Sequence, residues 1–248
     1  MDSVAEYVTD DVDVVAIRQL SKALHCFVGG DVLRRVLDIN VTELTRFSKC
    51  WNHLKLDEYM ADGGTYRYRR YGQFSKPSAL DHIFLLPHEP YSQSANVNSL
   101  NGGIKRHFEP LTSEFLDCSL LSRLLIFMSE LYDSVEGQST SWNIRLHPYR
   151  IYADSTQAGL PTPEGLHRDG VTYIASLLIS RFNIMGGRTK ITDVDRNSLS
   201  EVMLEKPFDL VMADDLRTMH QVSAIKPEIL GTAAYRDVLV IAFTKIVK

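Results

Sequence analysis

Apolar residues recur at intervals of three and four through the first fifth of the chain, and every second residue through its last hundred positions. Val14, Ile17, Leu20, Leu24 and Phe27 fit one face of a helix from about Val12 to Phe27, which Gly29-Gly30 would end. Asp31 can cap a second helix running through Leu37, and a third is expected from Val41 to Leu54 after the break at Asn40. Leu111 to Val135 is the most helical stretch, with Phe115, Leu116, Leu120, Leu121, Leu124, Leu125, Phe127, Met128 and Leu131 on a wide apolar face and Ser113 or Ser119 as capping residues. Such a face packs on a sheet, and no chemistry is assigned to it.

The strand pattern starts at Gly63-Gly64. It introduces Thr65 to Gly72, in which Arg67 and Arg69 share one face while Tyr66 and Tyr68 share the other. This segment either presents cations to an anionic ligand or forms a solvated edge strand. Pro87 to Gly103 is polar and broken by Pro and Gly, and reads as a long loop of the kind that covers a site. Beyond Glu136 the alternation is continuous. Trp142 to Ile151 sets Asn143, Arg145 and His147 against Ile144 and Leu146, and further strands are expected at Val171–Phe182, Gly187–Thr192, Phe208–Asp215, around His220 and at Tyr235–Phe243. Short strands at turn-separated intervals make a sandwich or barrel. The expectation is a mainly β fold with flanking α, with helical buttresses at about 12–55 and 111–135 and core strands at about 141–246. No repeat or linker divides it, so residues 1–248 read as one domain.

Composition narrows the class. A net charge of −4 argues against a nucleic-acid binder and favours a small-molecule partner. Met1 to Glu6 opens acidic, and no apolar run approaches the ~20 residues that span a bilayer, which points to a cytoplasmic protein without a membrane partner. Cys26, Cys50 and Cys118 lack metal or disulfide spacing. Oligomeric state is not legible.

The chemistry concentrates in Pro163-Glu164-Gly165-Leu166-His167-Arg168-Asp169-Gly170. On extended backbone His167 and Asp169 project from one face, which is half of a metal site. With 8 His and 31 acidic residues, about one His-x-acid triplet is expected by chance, and there are two, so the triplet alone carries little. The rival, His107-Phe108-Glu109, runs into Pro110 and a helix. His167-x-Asp169 is followed instead by β-rich sequence and a second histidine, His220. Two His and one carboxylate leave three positions open on a non-haem Fe(II). Arg236 heads an otherwise apolar strand, where a buried cation needs an anionic partner.

His167-x-Asp169, His220 and Arg236 together resemble the Fe(II)/2-oxoglutarate-dependent dioxygenases, and more narrowly the bacterial branch typified by L-isoleucine 4-dioxygenase. Ile184-Met185-Gly186-Gly187, Met219-His220-Gln221-Val222 and Tyr235-Arg236-Asp237-Val238-Leu239 are similar to that branch, and the likeness runs from about Trp142 to Phe243. The related enzymes also carry a basic, aromatic segment like that around Arg67. The resemblance implies a double-stranded β-helix (jelly roll), with His167, Asp169 and His220 as iron ligands. It implies Arg236 on the far carboxylate of 2-oxoglutarate, with Arg188 next in line, and O2 as the other cosubstrate. The activity it implies is hydroxylation of an unactivated carbon of a free, small aliphatic L-amino acid, with release of succinate and CO2. Arg67, Arg69, Arg145 or Arg168 could take the carboxylate of such a zwitterion, and Glu164, Asp214 or Asp215 its ammonium, although each singly reads more readily as a surface or structural charge. A non-catalytic jelly-roll ligand sensor, a metal-dependent isomerase or hydrolase on the same scaffold, and a dioxygenase for modified or carrier-bound amino acids stay open.

Overall fold

The computed structural model of the chain describes residues 12–94 and 102–246. Its elements in order are α1 Val12–Ala23, β1 His25–Val28, α2 Gly30–Val36, α3 Val41–Lys49, β2 Lys55–Leu56, β3 Arg67–Arg69, β4 Gly72–Lys76, β5 Phe84–Leu85, α4 Ser113–Leu116, α5 Ser119–Glu136, β6 Trp142–Ala153, β7 Tyr173–Phe182, β8 Ile184–Gly186, β9 Arg188–Asp193, β10 Ser198–Met203, β11 Leu210–Asp214, β12 Thr218–Val222, β13 Ile225–Pro227 and β14 Ala234–Lys245.

The helices differ from the periodicity in informative ways. α1 stops at Ala23 because Leu24 turns left-handed at φ 66°, and His25 to Val28 continue as an edge strand on β11, not as helix. Gly29, not Asp31, stands at the N-terminus of α2. Asn40 is more than a break: its side chain accepts the Glu43 N–H while the Glu43 carboxylate accepts the Asn40 N–H, a reciprocal cap for α3. The third helix ends at Lys49 and tightens into a 3-10 turn, Cys50–His53. The 111–135 helix is two: Thr112, not Ser113, caps α4 at the Phe115 N–H, and α5 starts beyond Cys118 and closes at left-handed Gly137.

The strands form a jelly roll. One large antiparallel sheet has the order β1-β11-β7-β14-β6-β3-β2, with β4 attached to β6 and β5 to β4; β10-β9-β12 and β13-β8 are two smaller sheets. The N-terminal strands thus pair directly into the sheet built by the C-terminal ones. Alternation decides which face each side chain meets. Ile144 and Leu146 of β6, Tyr173, Ala175, Leu177 and Ile179 of β7, and Leu239, Ile241 and Phe243 of β14 pack with Leu120, Leu121, Leu124, Leu125 and Met128 of α5 and with Ala16 and Leu20 of α1. Tyr132 of α5 stacks parallel on Tyr173, ring centroids 4.3 Å apart. The helices therefore buttress one face of the large sheet, and the intervening residues face the other way, into the barrel. Among the described residues no helix is long and apolar enough to cross a membrane. Residues 95–101 of the expected covering loop, and the acidic opening Met1 to Glu6, lie outside the described residues.

Candidate active site

The inward faces of the central strands line one pocket. β6 contributes Arg145, His147, Tyr149 and Ile151, β14 contributes Arg236, Val238, Val240 and Ala242, and β7 contributes Ile174 and Ser176, each set in steps of two. Arg67 and Arg69 of β3 join them, as do His220 and Val222 of β12 from the smaller sheet.

His167 and Asp169 do not sit in a ladder strand as expected; they lie on the extended approach to β7, which the second histidine holds in place. The His167 N–H donates to the His220 carbonyl at 3.1 Å and the His220 N–H to the His167 carbonyl at 2.9 Å, an isolated antiparallel bridge. The Thr162 hydroxyl donates to the Val222 carbonyl at 3.1 Å and accepts the Val222 N–H at 3.0 Å, extending the strap. This pairing brings together histidines that are far apart in sequence, with ring centroids 4.4 Å apart. One donor atom from each of His167, Asp169 and His220 lies within 4.8 Å of the others, and no other cluster of His, Cys, Asp or Glu among the described residues is arranged to hold a metal ion. Asp169 Oδ2 is 3.4 Å from His220 Nε2 and 4.0 Å from His167 Nε2. His167 Nδ1 donates to the Gly165 carbonyl at 2.9 Å, which leaves Nε2 with its lone pair toward the cluster.

This donor set suits Fe(II) with coordination positions to spare. Burial, with His167 beside it, pushes His220 down to about 3, so its imidazole is neutral as a metal ligand must be. At His167 desolvation pulls the same way, but the carboxylates of Asp169 and Glu164 outweigh it and raise the pKa. A divalent cation in the cluster would take over the role of that proton.

Arg236 is 2% exposed, and its Nε and one terminal nitrogen have no hydrogen-bond partner. Burial first, then nearby Arg181, lowers its pKa to about 10, which leaves it a cation. A buried guanidinium that no described carboxylate pairs with is costly, and such a group is able to hold a carboxylate. Gly186 leaves room for the Ala224 carbonyl, and Gly187 for the Arg236 side chain. Both residues have left-handed φ, 82° and 80°, and a Cβ on Gly187 would stand 3.3 Å from Arg236 Cδ.

Of the remaining sequence candidates, Arg67, Arg69, Arg145 and Glu164 line the pocket. Arg67 and Arg69 are buried, not an exposed edge; both reach Asp57, at 2.8 and 3.6 Å. Three candidates lie elsewhere. Arg168, between the two ligands, alternates outward and donates to the Leu216 carbonyl. Asp214 holds Arg217 at 2.7 Å and the turn N–H groups of Leu216 and Arg217. Asp215 accepts the backbone N–H groups of Asp169, Gly170 and Val171. Arg188 is exposed and outside the lining. His107 is exposed too, and the Glu109 carboxylate beside it faces Arg70 at 4.0 Å.

Sequence reasoning missed Tyr91, Gln93 and Arg106, which the long loop delivers through a Tyr91–Arg106 bridge. Arg106 donates to Gln93 Oε1 at 2.9 Å, and the Gln93 amide reaches the Asp169 carbonyl at 3.3 Å. His147 is fully enclosed; burial and the surrounding arginines, Arg69 foremost, keep it neutral.

The 2OG-Fe dioxygenase family model matches residues 48–242. L-isoleucine-4-hydroxylase of Bacillus thuringiensis is 25% identical over 196 residues, covering 77% of this chain and 81% of that protein. Among solved structures, a bsmA homolog from Methylobium petroleophilum superposes with a TM-score of 0.85 at 30% identity, covering 94% of this chain and 92% of its own. IDO from Bacillus thuringiensis shares the fold, with a TM-score of 0.79 at 20% identity over 95% of this chain and 100% of its own.

Proposed function

The chain belongs to the 2OG-Fe dioxygenase family, and from that premise we propose that it hydroxylates an unactivated side-chain carbon of a free, small aliphatic L-amino acid. In such a reaction one oxygen atom of O2 enters the substrate as hydroxyl and the other enters succinate, while 2-oxoglutarate loses CO2. The observation that carries this reading is the convergence, in one pocket, of His167, Asp169 and His220 with a buried arginine, Arg236, that forms no ion pair with a described residue. The substrate class is supported by the Bacillus thuringiensis relative, which acts on L-isoleucine by its name.

His167, Asp169 and His220 would hold Fe(II), and Arg236 the distal carboxylate of 2-oxoglutarate. Bound Fe(II) supplies the activation of O2. The protein supplies placement: Val171, Ile174, Val222, Val238, Val240 and Ala242 wall the pocket with apolar surface that excludes water. Arg67, Arg69 or Arg145 would take the amino-acid carboxylate and Glu164 its ammonium, which orients the side chain for reaction. Asp215 is read as a support of the metal loop and not as a substrate group. The pairing of β1–β5 into the C-terminal sheet supports reading residues 1–248 as one domain.

The test is mass spectrometry on the twenty amino acids with Fe(II), 2-oxoglutarate and ascorbate. A gain of one oxygen atom with matching succinate release is expected for an aliphatic member. Gain only on a peptide or a carrier-bound aminoacyl group would move the substrate class and leave the dioxygenase chemistry standing.

A further inference from the structure

Arg236 is one cation of the pocket lining that forms no ion pair with a described residue, and Arg145 is another. Arg145 projects from β6 into the cavity, its Nε is buried without a partner, and it makes no hydrogen bond or ion pair with another described residue. The strand register separates the two. Arg145 lies opposite Ala242 of β14, whereas Arg236 lies opposite Ile151 of β6, six residues along the same pair of strands. At ~3.3 Å per residue the two positions are about 20 Å apart.

In the reading above, 2-oxoglutarate has its far carboxylate on Arg236 and its other end at the metal cluster, so it has no carboxylate left for Arg145. The Arg145 end is also the end next to the metal loop: Ala242 pairs with Ile174 on β7, close after Asp169, while Arg236 pairs with Arg181 at the far end. Around Arg145 the pocket stays electropositive. Arg69 and Arg106 line the same pocket and each leave a buried Nε unpartnered, Asp57 pairs with Arg67 and Arg69, and His147, in contact with Arg69, is neutral.

We propose that Arg145 is the carboxylate anchor of the substrate, six residues along the β6–β14 pair from the 2-oxoglutarate anchor. This deepens the amino-acid reading and rests on it. With its carboxylate fixed on β6, an amino acid can turn only its side chain toward the His167, Asp169 and His220 cluster, so Arg145 sets which carbon is presented.

The experiment is anaerobic titration of wild type, Arg145→Gln and Arg145→Lys, each loaded with Fe(II) and 2-oxoglutarate. The probes are the amino acids and, for L-isoleucine, its carboxamide. Wild type is expected to prefer L-isoleucine over L-isoleucinamide by about 30-fold, the worth of a charge-assisted hydrogen bond. In Arg145→Gln that preference should collapse while 2-oxoglutarate affinity stays within about twofold; Arg145→Lys should restore part of it. A merely structural role would weaken acid and amide equally. If Arg145→Gln keeps the wild-type preference for the acid, the anchor is elsewhere and the amino-acid reading survives. If it also loses 2-oxoglutarate, Arg145→Lys decides: a folded lysine variant with an undiminished preference supports the assignment of a cation here, and one with none overturns it. If wild type binds none of the twenty amino acids, that reading falls and this assignment with it.

Discussion

The carboxylate of Asp215 accepts the backbone N–H of Asp169 at 3.1 Å, and with it those of Gly170 at 2.7 Å and Val171 at 3.0 Å. One buried side chain therefore sets the path of the loop that carries two of the three proposed ligands. Burial, and then the charge on Asp169, push its own pKa up, so the three N–H donors are what compensate the carboxylate. Asp215→Ala should weaken metal binding about 10- to 100-fold, the usual effect of removing an outer support of a ligand. Asp215→Asn should lie between, since an amide oxygen can still accept. Co(II) titration followed by absorbance measures this, and wild-type affinity in the alanine variant would show that the loop holds itself.

His167→Ala, Asp169→Ala and His220→Ala should each abolish succinate release and not merely raise KM. His107→Ala, in the exposed rival triplet, should keep most activity. Metal content after gel filtration provides a readout independent of turnover, and full iron occupancy in either ligand-histidine variant would end the assignment.

Arg236→Gln should weaken 2-oxoglutarate binding by roughly 100-fold, since a charge-assisted pair contributes on the order of 3 kcal/mol. Gly187→Ala should act in the same direction more mildly, because Gly187 has φ of 80° and an added Cβ would stand 3.3 Å from Arg236 Cδ. Equilibrium titration of 2-oxoglutarate compares the two. Unchanged affinity in Arg236→Gln would place the cosubstrate elsewhere in the pocket.

What the sequence made legible follows from period and pairing. Alternation along β6 put Arg145 and His147 on the face opposite Ile144 and Leu146, and the structure keeps that division. The same rule separates Arg168 from its neighbours His167 and Asp169, although charge alone made it a candidate. The illegible part is non-local. Tyr91 and Arg106 reach the pocket by pairing with one another across a polar loop, and nothing in their spacing announces it. Helix ends were misplaced for a related reason. The apolar period continues from α1 into β1, and only the left-handed turn at Leu24 separates them.

Asp57 offers a test of how the pocket's positive charge is tolerated. Its side chain is fully buried, it accepts Arg67 Nε at 2.8 Å and the Tyr59 N–H at 3.0 Å, and Arg69 stands 3.6 Å away. Burial alone would raise its pKa, but the two guanidinium groups outweigh it and hold the pKa below the ordinary value. A depressed carboxylate pKa means that the unfolded chain takes up the proton first as pH falls. The pair's contribution is therefore complete above the unfolded value, near pH 4, and is lost as pH drops through the lower folded value. Asp57→Asn leaves two buried arginines without their anion and should cost about 3–5 kcal/mol at pH 7. Urea unfolding at pH 7 and pH 3 should show that penalty shrinking toward acid, because protonation performs the same neutralisation in the wild type. The competing account is that the rings suffice, since the Arg69 guanidinium lies 3.6 Å from the Phe108 centroid and 4.6 Å from that of Tyr149. A penalty under about 1 kcal/mol, independent of pH, would favour the rings and demote Asp57 to a spectator.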